Sequence, residues 1–74
     1  MNPLNALAEA RRRVGDAEHL VAKQRHQVES MRRDGYDTQK AEALLVTFEK
    51  DLGTMRERFE SEKREAIRKH SAEA

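Results

Sequence analysis

Leu7, Val14, Val21 and Val28 recur every seven residues, with Ala10, Ala17, Gln24 and Met31 at the same period between them. Past an Asp-Gly at positions 34 and 35 the pattern starts again. Leu45, Leu52, Phe59 and Ala66 are interleaved with Ala41, Phe48, Met55 and Glu62. Alternating steps of three and four put each set on one stripe of a helix, the seam along which two helices pack at a shallow left-handed crossing. If the chain doubles back at the break, each step of seven up one helix matches a step of seven down the other. Leu7 then faces Ala66, Val14 faces Phe59, Val21 faces Leu52 and Val28 faces Leu45. In the second series Ala10 faces Glu62, Ala17 faces Met55, Gln24 faces Phe48 and Met31 faces Ala41. Several layers match small with large. The Gln24–Phe48 and Ala10–Glu62 layers are imperfect, and the half toward the termini is expected to be looser.

The break carries its own signals. Gly35 suits the left-handed residue that ends a helix, because it has no Cβ to clash. Asp37 suits the next N-cap, with Thr38 as the weaker candidate. Tyr36 stands just outside that helix and is expected to pack back near Ala41. At the front of the chain, Asn2 suits an N-cap and Pro3 the first helical position, where its missing N–H costs nothing. The expected elements are a helix over 3–33, a turn over 34–37 built on Asp34, Gly35, Tyr36, Asp37 and Thr38, and a helix over 38–70. Residues 71–74 are expected to fray. The fold class is all-α, an antiparallel two-helix hairpin of coiled-coil type.

The flanks of the seam differ. Along one edge Glu18 falls opposite Arg56, Arg25 opposite Glu49 and Arg32 opposite Glu42, three pairs of opposite charge. Exposed pairs contribute only about 0–1 kcal/mol each, so their effect is on register and direction. The other edge does not complement: Leu20 faces Asp51, Gln27 faces Leu44 and Arg13 faces Arg58. Leu20 and Leu44, with Gln27, are left outside the seam. A second hairpin laid over them would complete a four-helix bundle, so a homodimer is the expected assembly and a protein partner the variant of that reading. A rival face is the stripe Ala8, Gly15, Ala22, Val46, Gly53 and Ile67. Gly15 and Gly53 lie inside helices, where each costs about 1 kcal/mol relative to alanine.

Composition narrows the function. The chain has 74 residues and no cysteine, so neither a disulfide nor a thiolate metal site supplements a small core. Fifteen basic and 14 acidic residues leave a net charge of +1, where a dedicated nucleic-acid binder carries a strong basic excess. No apolar run reaches the length of a membrane span, and the N-terminus lacks the pattern of a signal peptide, so the cytoplasm is the expected compartment. Of His19, His26 and His70, the first two lie about 10 Å apart along one helix on its solvent face, whereas zinc needs three or four ligands that converge on one point. No nucleophile motif, phosphate-cradling loop or cofactor signature is present, and a hairpin has no walls to exclude water. No catalytic, metal or cofactor residue is therefore assigned, and Glu62 in the seam reads as a hydrated layer.

The remaining charge feature is basic. Arg11, Arg12 and Arg13 fall near Arg58, Lys63, Arg64, Arg68 and Lys69 at the open end of the hairpin. Arg11 is expected near Lys63 and Arg13 near Arg58, like charges that an anionic partner such as nucleic acid would relieve. Glu9–Arg13, Glu60–Arg64 and Glu65–Lys69 at i,i+4 offer internal balance instead.

Residues 24–52, QRHQVESMRRDGYDTQKAEALLVTFEKDL, resemble a recurrent group of small bacterial proteins of unknown function. Gln24, Arg25, Val28, Asp34, Gly35, Asp37, Thr38, Ala41, Leu44, Leu45, Phe48 and Glu49 carry the likeness. It implies a helical hairpin from a bacterial cytoplasmic protein, with no activity, substrate or catalytic residue attached. The expected function is a small, non-catalytic interaction or self-assembly module. The alternative is a nucleic-acid-associated or other anion-binding protein that uses the basic end.

Overall fold

A computed structural model of the chain describes residues 3–73, with side chains from 4 to 71. It comprises α1 (Pro3–Arg33) and α2 (Gln39–Glu73), packed antiparallel on each other in a hairpin about 60 Å long and 16 × 14 Å across. Asn2, the expected cap of α1, lies outside the described residues.

The turn is built from backbone hydrogen bonds. The Tyr36 N–H donates to the Met31 carbonyl at 2.9 Å and the Gly35 N–H to the Arg32 carbonyl at 3.2 Å. This 6→1 and 5→2 pair is a Schellman closure, which requires a left-handed residue just past the helix that supplies the accepting carbonyls. Gly35 supplies it at φ +83°, the sole positive φ among the described residues. The start of α2 differs from the expected cap. The Thr38 carbonyl accepts the first helical bond, from the Glu42 N–H at 2.8 Å, which makes Thr38 the backbone cap. Asp37 acts one residue earlier, its Oδ1 accepting the Gln39 N–H at 3.0 Å. The longer reach of the carboxylate lets it satisfy a free amide from outside the helix, so α2 starts at Gln39, not 38. Tyr36, expected to pack back near Ala41, is 67 % exposed, so most of its ring stays in water.

The far end differs too. α2 runs on to Glu73 instead of ending at 70, and position 74 of the expected tail lies outside the described residues. Ser71, Ala72 and Glu73 contain neither glycine nor proline, and nothing else there stops the helix.

The seam holds the core. Val21, Val28, Leu52, Ala10 and Ala66 are buried, Val21 to 5 % exposure. The larger seam side chains, Leu7, Val14, Leu45, Phe48, Met55 and Phe59, are half-buried. Two helices cover a side chain from one direction only, so most of the bulky seam residues stay partly wet. Burial does not fall off toward the termini as expected, since Ala10 and Ala66 are among the most buried residues. Gln24, the polar intruder, is also buried, and its Nε2 donates to the Ala41 carbonyl at 2.9 Å. Among the described residues no buried side-chain nitrogen or oxygen lacks a partner. No helix of the described residues is long and apolar enough to cross a membrane.

Candidate interaction surface

The edge carrying the three opposite-charge pairs is closed. Arg25 Nη2 lies 3.7 Å from Glu49 Oε2, Arg56 Nη2 lies 3.6 Å from Glu18 Oε2, and Arg32 is hydrogen-bonded to Glu42. All six side chains keep about half their surface in water. These pairs fix the register residue by residue. Between two of them lies an open groove of about 330 Å³ with the buried Val21 and Leu52 among its lining and Ala22 beside them. Val21 of α1 and Leu52 of α2 thus line one groove from opposite sides of the seam.

The opposite edge is open. Leu20 is 45 % exposed and Leu44 is 44 % exposed, and Gln27 beside them is exposed. Asp51, level with Leu20, has no cation within ion-pair distance among the described residues. Toward the termini Arg13 and Arg58 share a groove of about 300 Å³ with Ala6, Glu9, Ala10 and Glu62. The small Ala10 opposite Glu62 leaves this groove, and the half-buried Glu62 forms one wall of it.

The rival stripe is exposed as well, with Val46 and Ile67 about half or more in water. A Cβ added at Gly15 or Gly53 meets nothing within 4 Å. The glycines are thus not required by any close approach inside the hairpin.

The eight basic residues of the open end divide into three groups. Glu9 Oε1 lies 3.3 Å from both Arg12 and Arg13. Glu65 binds Arg68 Nη2 at 2.6 Å and Lys69 Nζ at 3.8 Å. The hydrogen bond from Arg68 holds the Glu65 carboxyl below the usual carboxylate range against the opposing effect of desolvation, with the charges of Arg68 and Lys69 adding to the lowering. Arg58, Lys63 and Arg64 form no ion pair among the described residues, and the expected Glu60–Arg64 pair does not close. Arg11, expected beside Lys63, lies over the ring of Phe59, 5.7 Å from its centroid. Sequence spacing missed this contact, although an arginine one turn from the residue that faces an aromatic ring is its signal.

Among the described residues no three His, Cys, Asp or Glu side chains converge to hold a metal ion. His19, His26 and His70 are all exposed. The turn residues Asp34, Gly35, Tyr36 and Asp37 are exposed, and Thr38 is half-buried. The arrangement offers charge and apolar contact along its length, and its grooves are open to water. Comparison with known protein families, with curated proteins and with solved structures finds no match to this chain.

Proposed function

We propose that the protein is a non-catalytic self-association module, in which one hairpin covers the Leu20–Leu44 edge of another to form a four-helix bundle. The observation that carries this reading is the contrast between the two edges. One is closed by three cross-helix ion pairs; the other leaves two leucines nearly half exposed with no complementary charge. The half-buried phenylalanines and leucines of the seam add to it, since a second layer would cover them. Leu20→Glu places a charge at the centre of the contact. Light scattering should then report a dimer for the wild type and a monomer for the variant, with helicity unchanged by circular dichroism. A wild type that is a folded monomer at high micromolar concentration rules the reading out.

A second reading, binding of a polyanion such as nucleic acid at the basic end, draws on Arg58, Lys63 and Arg64, which lack carboxylate partners among the described residues, together with Arg11, Arg12, Arg13, Arg68 and Lys69. Binding to a DNA duplex, measured across salt concentrations, separates the two. A counter-ion-driven contact weakens steeply with salt and survives Leu20→Glu.

A further inference from the structure

The Leu20–Leu44 edge has an order that emerges in steps of seven residues. From the open end toward the turn, its facing pairs on the helices are Arg13 with Arg58, Leu20 with Asp51 and Gln27 with Leu44, and past them the turn carries the exposed carboxylates of Asp34 and Asp37. The register that pairs them is the one fixed by the ion pairs on the opposite edge. All eight side chains are exposed. Successive layers lie about 10 Å apart, at 1.5 Å per residue. The strip therefore begins with two cations, ends with two carboxylates, and carries one leucine in each of its two middle layers. Turned end for end, its basic end meets its acidic end.

We propose that this edge binds a second copy of the chain about a two-fold axis perpendicular to the helices, midway between the Leu20 and Leu44 layers. The inference rests on the self-association reading and adds its direction and register. The two turns then point opposite ways. Arg13 lies over the partner's Asp34, Arg58 over the partner's Asp37, Leu20 over the partner's Gln27 and Asp51 over the partner's Leu44. Each Leu20 shares its height with the partner's Leu44, so both middle layers of the bundle receive one leucine from each copy. The other closed arrangement has its axis along the helices and both turns at one end. It gathers four arginines at one height and four carboxylates at another, a like-charge juxtaposition that disfavours it.

Two local details suit the strip to burial. The hydroxyls of Thr47 and Thr54, on the flank next to Leu44 and Asp51, already donate to the Ala43 and Lys50 carbonyls at 3.3 and 3.2 Å. Covering them leaves no donor unsatisfied. Asp37 uses one carboxylate oxygen at the Gln39 N–H, and its second oxygen remains for an arginine.

The chain has no cysteine, so Tyr36→Cys gives a unique spin-label site at the exposed tip of the turn. In the proposed dimer the two labels are separated by the rise of about 23 residues, roughly 35 Å. A dimer by light scattering with a pulsed-EPR distance near that value supports the arrangement. A dimer with labels closer than about 20 Å overturns it and leaves self-association standing, whereas a monomer removes both. As a second measurement, Arg58→Glu should raise the dimer dissociation constant roughly tenfold at low salt, with the difference shrinking as salt is added. An unchanged constant places Arg58 outside the contact and overturns the proposed register.

Discussion

Gly35 holds φ +83°, a conformation in which a side chain clashes with the following carbonyl. The Schellman bonds of Gly35 and Tyr36 depend on it. Gly35→Ala should therefore cost about 1–2 kcal/mol of hairpin stability. The other two glycines predict the opposite. Gly15 and Gly53 sit in helical backbone with open space where a Cβ would go, so each change to alanine should add about 1 kcal/mol. Urea unfolding of the three single variants checks both signs at once. A loss at Gly15 or Gly53 would mean that another backbone approaches there in the assembled state. Gln24 shows what sequence spacing leaves out at this scale. Its position in the seam is visible from the heptads, but its partner is a carbonyl, and carbonyls carry no residue-type signal. The bond to Ala41 turns an apparent flaw into a satisfied layer. The same limit hid the division of labour at Thr38 and Asp37, since either residue can cap and backbone geometry decides which one does.

At the scale of the helices, most of the fold is legible because two independent codes agree. The apolar heptads give the register of the seam, and the opposite charges at Glu18, Arg25 and Arg32 give the same register from outside it. Neither code reaches the ends. No residue marks a stop near position 70, and α2 continues to Glu73. In that last stretch Glu65 is held below the ordinary carboxylate range by the hydrogen bond from Arg68 and the charges of Arg68 and Lys69. A carboxyl lowered in this way contributes stability above its unfolded value and loses it as pH falls through its folded value. An NMR titration should thus find Glu65 titrating below the usual carboxylate range, and Arg68→Ala should move its midpoint upward. No change in the midpoint would mean that the Arg68 contact does not form in solution. The candidate interaction edge was legible only by elimination, as the side where the charge code fails; its exposed leucines follow from the same register that pairs the other side.

For the whole molecule, the register makes a rod of 60 × 16 × 14 Å with one closed edge and one open edge. Its bulky seam residues are covered from one direction only, which is the general predicament of a small core and the physical reason to expect a second layer. The central claim is the reversal of the chain at Gly35, on which the seam, both edges and the proposed dimer depend. Spin labels at the exposed positions His19→Cys and Glu57→Cys test it most directly, with the labelled chain diluted in unlabelled protein so that only the distance within one chain is read. Helices packed 8–10 Å apart predict a separation within about 30 Å. A continuous helix through Gly35 would place the labels about 57 Å apart, and that result would contradict the fold and everything built on it.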